Sequence, residues 1–257
     1  MKAELDRYIK ACVKDYCAFT GESDFPDFEV RTKHITLDKS KKQGFDSWAA
    51  TFYDVPTGKH TLEVWENVFL PQLGADYLMF HELTHIADAE KYSQQDKLKH
   101  MSNRGYTEYH AAQIDFMKLL GVKKISDTFS FSMTQKFETV GGEKTALQFT
   151  LAPHDLVVSL IERDDFPANI ETLATTFGLI FNYYGRRDIC KMHSTNFKDE
   201  IDNSAIEKFL GLDTVKALDT FMQGWFGPEK VAMIDMLYGC VFSSELQARI
   251  KNATSSC

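Results

Sequence analysis

Apolar residues recur at helical spacing in three stretches of the first half of the chain. In residues 5–19 they lie three or four positions apart, as at Leu5, Ile9 and Cys12, and this spacing predicts an amphipathic helix. Residues 75–90 contain neither proline nor glycine and carry many apolar side chains, which predicts a largely buried helix. A third helix is predicted for residues 106–120.

The segments around these helices predict a loop and a small sheet. The polar stretch 93–104, rich in Lys, Gln, Asp and Ser, predicts a loop between the second and third helices. Residues 47–54 and 60–68 are rich in β-branched and aromatic side chains and flank the turn 55–59, so together they predict a hairpin. Residues 28–37 are a candidate third strand.

The second half of the chain is dominated by helical patterns. Residues 129–137 and 146–151, on either side of two glycines, fit a hairpin or two short helices, and we favour helices. Further helices are predicted at 170–184, 204–210, 214–225 and 229–250, separated by glycine or proline. The predicted fold class is α+β, with one domain at 1–125 and a mostly helical domain or extension at 126–257.

The most specific pattern lies on the second predicted helix, where residues 81–85 read His-Glu-Leu-Thr-His, an HExxH run. Because an α-helix turns once every 3.6 residues, His81 and His85 project from one face and can bind the same metal ion. Glu82 points beside them, within reach of a water molecule at that ion. The simpler alternative is a core helix with two hydrogen-bonded histidines, and the intervening glutamate favours the metal site.

Two histidines do not complete a catalytic zinc site, which takes three protein ligands. A nearby third histidine, as in metzincins, is excluded because Asp88 and Lys91 occupy the positions of the glycine and the histidine in that pattern. Glu108, in the first turn of the next predicted helix, is the best candidate, with His110 and Asp115 as reserves. Acidic residues are also common near helix N-termini without any ligand role.

An HELTH run followed by a glutamate-initiated helix resembles the glutamate zincins, or gluzincins. The E-x-x-A pattern that begins at Glu108 and the later Leu119-Leu120 pair are similar to ImmA/IrrE-type metallopeptidases of bacteria and their mobile elements. This resemblance covers about residues 60–121. The chain departs from thermolysin-like enzymes, because Ala112 stands where they carry the aspartate that orients the first histidine of the motif.

The resemblance implies a zincin-like core with a small, mainly antiparallel sheet and two active-site helices. It implies a Zn²⁺ ion bound by His81, His85 and Glu108, with Glu82 as the general base that activates water against a peptide bond. The strand leading into the HExxH helix would form the rim of the cleft, where its free edge can pair with an extended peptide. Because ImmA/IrrE-like enzymes cleave repressors, a specific intracellular partner protein is the implied substrate.

Two roles in such a site have several candidates. In the absence of the thermolysin-type aspartate, Asp88 and Asp115 are the candidates for holding a ligand histidine through its other ring nitrogen. A developing oxyanion needs a donor besides the metal, and Tyr106, Tyr109 and His110 lie close in sequence to the third ligand. Aromatic residues near a helix start are more often packing groups, and the sequence does not choose among the three.

Composition and charge exclude several other classes. The chain has 257 residues, is 44% hydrophobic and has a net charge of −8, which argues against a protein whose whole surface grips nucleic acid. It has no apolar run of membrane-spanning length, and its N-terminus lacks the apolar core of a secretory signal, so a cytoplasmic location is predicted. Five scattered cysteines without a CxxC pair fit reduced thiols. We predict a peptide or protein substrate as the partner, and no binding to nucleic acid or to a membrane. The sequence does not determine the oligomeric state.

The predicted function is therefore that of a zinc metalloendopeptidase-like hydrolase. A non-catalytic zincin-fold module that acts through its helical C-terminal half is the main alternative. The intact His81, Glu82 and His85 argue against a degenerate site of that kind. A metalloenzyme acting on a non-peptide amide or ester is a third option, because zinc and a general base serve either reaction.

Overall fold

A helix and a three-stranded sheet precede the HExxH helix. The structure is a computed structural model that describes residues 2–33, 48–65, 74–224 and 228–241. Its first elements are helix α1 (Lys2–Thr20) and strands β1 (Phe28–Lys33), β2 (Ala49–Asp54) and β3 (Lys59–Trp65). The predicted helix at 5–19 and the hairpin are confirmed; residues 34–37, 47 and 66–68 of the predicted strands lie outside the described residues.

The sheet has β3 at its centre, in the order β1-β3-β2. β2 runs antiparallel to β3, with Asp54 opposite Lys59, whereas β1 runs parallel to it, with Phe28 opposite His60. The sheet is thus mixed rather than mainly antiparallel. No tight turn joins β1 to β3, since β2 intervenes in the chain, and a longer connection of this kind permits a parallel pairing.

The two predicted site helices are confirmed. Helix α2 (Asp76–Asp88) carries the HExxH run, and helix α4 (Arg104–Leu119) carries Glu108 and packs along it. The connection between them is not the predicted loop, because it contains a π-helical turn (Ala89–Ser93) and helix α3 (Lys97–Ser102). The side chain of Asp96 accepts hydrogen bonds from two backbone N–H groups of α3, so a cap stabilises a helix in this polar stretch.

The rest of the described chain forms one hairpin and a set of helices. These are β4 (Lys136–Thr139), β5 (Gly142–Thr145), α5 (Ala146–Ile161), α6 (Ile170–His193), α7 (Ser204–Leu210), α8 (Leu212–Phe221) and α9 (Pro228–Val241). The predicted helix at 129–137 is wrong, because residues 129–135 are not helical and residues 136–137 belong to β4, which pairs with β5 as an antiparallel hairpin. The predicted helix at 146–151 is confirmed as the start of α5. The predicted helices after residue 167 are confirmed in type; residue 225 of the third and residues 242–250 of the last lie outside the described residues.

Helix α6 runs through Gly185, where the sequence predicted its end. A Cβ atom at this position would lie 2.3 Å from the backbone oxygen of Tyr109 on α4. The glycine therefore marks a close approach of two helices rather than a helix terminus.

Two hydrophobic clusters meet at α4. The first gathers α1, the sheet, α2 and the later turns of α4, and includes Leu62, Phe80 and Phe116. The second surrounds the first turns of α4 with side chains from α6 to α9, such as Phe177 and Leu218. Helix α4 is thus held from both sides, which fixes the position of Glu108 relative to α2. None of the described helices combines the length and the apolar character needed to span a membrane.

Candidate metal centre

Helix α2 is buried except along the stripe that carries the HExxH motif. Phe80, Leu83 and other apolar side chains face the core, whereas His81, Glu82 and His85 are partly exposed. The helical period explains this division, because positions 81, 82 and 85 share one face. The motif therefore lies on the partly exposed face of the helix.

Glu108 completes the cluster from the facing helix. One of its carboxylate oxygens, Oε2, lies 3.7 Å from Nε2 of His81 and 3.9 Å from Nε2 of His85. One ligand atom from each of the three residues lies within 4.8 Å of the others. Tetrahedral zinc, with ligands at about 2.0–2.2 Å, separates its ligand atoms by roughly 3.3–3.6 Å, so small side-chain shifts suffice to bind an ion. The three residues fit a divalent metal.

Hydrogen bonds hold both imidazoles through their other ring nitrogen. Nδ1 of His81 lies 3.1 Å from Oδ2 of Asp115, and Nδ1 of His85 lies 2.8 Å from the hydroxyl oxygen of Thr107. With Nδ1 engaged in this way, the Nε2 atoms face Glu108. Ligand histidines in metal sites are commonly oriented by such contacts.

The pKa values of the three residues show how the Glu108 carboxylate is stabilised. Burial alone would lower the pKa of His81, but hydrogen bonds to Asp115 and Glu108 outweigh it and raise the pKa to about 10. Burial would raise the pKa of Glu108, yet the two neighbouring imidazoles hold it at about 2. Burial lowers the pKa of His85 to about 4. The carboxylate is thus built to face a positive charge, and a bound cation would supply one.

Glu82 differs from Glu108 although both carboxyl groups lie beside the two histidines. Burial, assisted by the charge of Glu108, raises the pKa of Glu82 to about 7, while His81 and the hydroxyl of Thr51 oppose the rise. Thr51 belongs to β2, an edge of the sheet among the described strands, whereas β3 is its central strand. The strand edge beside the motif is therefore that of β2 and not that of the strand leading into α2, which the sequence suggested.

Asp88, the second candidate for holding a ligand histidine, lies elsewhere. Its carboxylate is 2.9 Å from Nδ1 of His110, and this pair is buried between α2 and α4. His110 is two positions from Glu108, and two helical steps of about 100° place it on the opposite side of α4. His110 thus lies away from the ligand cluster as well.

The two tyrosines proposed as oxyanion donors also contact other groups. The ring of Tyr106 packs edge-on against Tyr92, and its side chain is fully buried. The hydroxyl of Tyr109 donates to Asp188 and lies 2.9 Å from the backbone oxygen of Gly224, so it joins α4 to the C-terminal helices. These contacts favour packing roles.

Three contributors to the site were not predicted from the sequence. Arg186 of α6 donates a hydrogen bond of 2.9 Å to Asp115. Gly178 of the same helix makes room for Glu108, because a Cβ atom there would lie 3.1 Å from Oε1 of that residue. Thr107 holds His85 and immediately precedes Glu108. Residues 178–186 are mostly apolar and aromatic, with two glycines and a single charged residue, and this composition carries no signal of a role at the site.

Comparisons of the chain with protein-family models, curated proteins and solved structures found no match. The likeness to gluzincins therefore rests on the residues of the motif and on Glu108. The geometry around those residues carries the functional argument that follows.

Proposed function

We propose that this protein is a zinc-dependent peptidase. The observation that carries the proposal is the convergence of two imidazole nitrogens and one carboxylate oxygen, within 4.8 Å of one another, from two packed helices. Two nitrogen donors and one oxygen donor are the ligand set of many catalytic zinc sites, which keep a further position for water or substrate. The partial exposure of His81, Glu82 and His85 provides the opening that such a site requires.

The chain's own residues account for the proton transfers of peptide hydrolysis. A bound zinc ion supplies Lewis acidity towards the scissile carbonyl and makes an attacking water more acidic. Glu82 accepts the proton of that water and then donates it to the leaving amine. Glu82 shares a helix face with His81 and His85, so its carboxylate lies within reach of a water at the ion and can take and return that proton.

The surroundings of the site favour an extended peptide as substrate. β2 carries Thr51, which contacts Glu82, and presents one edge of the described sheet to the same region. An extended segment can add to such an edge through backbone hydrogen bonds. Phe52 follows Thr51 in β2, so its side chain, which is 55% exposed, projects from the opposite face of the sheet. With Trp48, which precedes β2 and is 41% exposed, it offers an apolar surface to alternate residues of a segment added at this edge. A specific partner protein remains the substrate that the ImmA/IrrE resemblance implies.

Zinc stoichiometry and peptide hydrolysis, measured on the same preparations, test the proposal. We expect one zinc per chain in the parent, loss of zinc in His85→Ala and Glu108→Ala, and hydrolysis of members of a fluorogenic peptide library. Glu82→Gln should keep the metal and lower turnover by about 100-fold or more. Glu90→Gln, at an exposed glutamate just beyond α2, is the matched control and should leave both readouts unchanged.

Each other outcome points to a different function. A parent that takes up no zinc would overturn the proposal and favour a binding module on a zincin-like frame. Zinc bound by the three residues without hydrolysis of any peptide would direct the search to non-peptide amides and esters. Hydrolysis that persists in Glu82→Gln would remove the proposed general base.

A further inference from the structure

Asp115 is a buried carboxylate shared by two donors. Only 1% of its side chain is exposed, and its Oδ2 atom lies 3.1 Å from Nδ1 of His81 and 2.9 Å from Nη2 of Arg186. A buried negative charge is costly unless a positive charge or several hydrogen bonds compensate for it. A histidine must be neutral to bind a metal through Nε2, whereas a guanidinium keeps its charge, so Arg186 is the lasting positive partner of this carboxylate.

The guanidinium is itself fixed by a second element. Nη1 of Arg186 donates a hydrogen bond of 2.9 Å to the backbone oxygen of Phe149 on α5. The guanidinium carbon lies 3.7 Å from the centre of the Phe149 ring, in a stacked cation–π contact. Because the side chain is only 11% exposed and is held at both ends of its planar group, it can set the orientation of Asp115.

Helix α6 lies directly against the cluster at one position and reaches it through Asp115 at another. Gly178 lies against the carboxylate of Glu108, and Arg186 follows about two helical turns later. One helix from the second half of the chain therefore contacts a ligand directly and a second ligand through Asp115. This arrangement ties the position of α6 to the geometry of the cluster.

We propose that Arg186 is a positioning residue, which orients the Asp115 carboxylate so that Asp115 holds His81 with its Nε2 atom towards the metal. The importance of this role for catalysis rests on the proposed zinc-peptidase function, but the positioning of His81 does not. Through the hydrogen bonds from Arg186 to Asp115 and from His81 to Asp115, α6 helps to orient a metal ligand in addition to packing against α4.

Zinc affinity, measured by competition with a chromophoric chelator on the full chain, tests this role. Loss of a group that orients a ligand histidine commonly weakens metal binding by about 10- to 100-fold. We expect Arg186→Met to weaken zinc binding by this amount and Asp115→Asn to weaken it comparably. Arg186→Lys keeps the charge but cannot bridge Asp115 and the Phe149 oxygen with one planar group, so it should recover part of the loss. The double variant Arg186→Met/Asp115→Asn should lose little more than either single variant.

Arg187 provides a matched control on the same helix. It is an equally buried arginine, but its guanidinium pairs with Asp199 and Asp219 instead of Asp115. Arg187→Met should lower the melting temperature and leave the zinc affinity of the folded protein within about threefold. Equal zinc affinities of Arg186→Met and the parent would overturn the proposal, as would an equal loss in both arginine variants.

A metal-free measurement separates this proposal from the proposed function. In the zinc-free protein, the Nδ1–H proton of His81 should give a protected downfield resonance, assigned by its loss in His81→Gln. We expect that resonance to disappear in Arg186→Met and to persist in Arg187→Met. If the parent binds no zinc and the resonance still depends on Arg186, the peptidase proposal fails and the positioning role stands. If zinc binds and neither the resonance nor the affinity responds to Arg186, the positioning role fails alone.

Discussion

At the scale of single residues, the two imidazoles of the cluster are held by acceptors of different strength. His81 is hydrogen-bonded to the buried carboxylate of Asp115, whereas His85 is hydrogen-bonded to the hydroxyl of Thr107. Hydrogen bonds to charged acceptors are stronger than those to neutral ones. We therefore expect the hydrogen bond that orients His85 to be weaker than the one that orients His81. A substitution of Thr107 that keeps its shape can remove that hydrogen bond.

The substitution Thr107→Val tests that contact. It removes the hydroxyl acceptor of His85 while keeping a β-branched side chain, so zinc affinity should fall by about 10-fold with little change in fold. Thr84→Val is the control, because the Thr84 hydroxyl bonds to the Phe80 backbone oxygen within α2 and lies between the two ligand histidines in sequence. The zinc affinities of both variants are measured by the same chelator competition and compared with that of the parent. A Thr107→Val protein that binds zinc as tightly as the parent would show that the 2.8 Å contact does not orient the ligand.

At the scale of elements, α6 limits the space available to Glu108. A Cβ atom at Gly178 would lie 3.1 Å from Oε1 of Glu108, tighter than an ordinary contact. In the metal-free protein the carboxylate can move aside, but a metal-bound carboxylate cannot do so without loss of coordination. The cost of a side chain at position 178 should therefore appear mainly in the metal-bound state.

Gly178→Ala is thus expected to have opposite effects on stability and on metal binding. Alanine is favoured over glycine inside a helix by about 1 kcal/mol, so the zinc-free protein should be as stable as the parent or more stable. Zinc affinity should fall by several-fold to 10-fold. Gly239→Ala on α9 is the control, since no atom lies within 4 Å of a Cβ placed there, and it should alter stability alone. Thermal melts and zinc titrations of the two variants test this prediction. If Gly178→Ala bound zinc as tightly as Gly239→Ala and the parent, the predicted conflict between the alanine side chain and metal-bound Glu108 would be wrong.

The elements also show what the sequence could predict. Helices α2 and α4 are predicted because their apolar periodicity is long and continuous, and Glu108 follows from the need for a third ligand on a packed helix. Helix α3 depends on a local cap at Asp96 within a polar segment, which periodicity does not reveal. Gly185 was interpreted as a helix end, although it serves a close approach to Tyr109.

The contacts around the ligands were predictable only in part. Asp115 was a candidate for holding a histidine because it lies on the Glu108 helix, seven residues further along. Arg186 is 71 residues from Asp115 in the chain, and one charged residue on a helix carries no sign of a partner at that separation. Such pairs are determined by the packing of helices, which a single sequence does not specify.

At the scale of the whole molecule, an ion-pair cluster joins the later helices to the segment that follows α6. Arg187 donates to Asp199 and Asp219, and Lys191 lies 2.7 Å from Asp199. Burial alone would raise the pKa of Asp199, but the hydrogen bonds from Arg187 and Lys191 outweigh it, and the pKa is lowered in the folded protein. The charged form of Asp199 therefore contributes to the free energy of folding.

The sign of this shift sets the pH dependence of stability. A carboxyl group whose folded pKa lies below its unfolded value of about 3.9 stabilises the fold above that value and ceases to do so as pH falls through the folded pKa. We expect Asp199→Asn to lower the melting temperature at pH 7 by at most about 4 °C, because a partly exposed pair is screened by solvent. The variant should then lose less stability than the parent as pH falls from 5 towards 2. The control is Asp164→Asn, at an exposed aspartate, whose melting temperature should match that of the parent at each pH. If the melting temperatures of the parent and of Asp199→Asn instead fell in parallel between pH 5 and pH 2, the ion-pair cluster would not couple stability to pH.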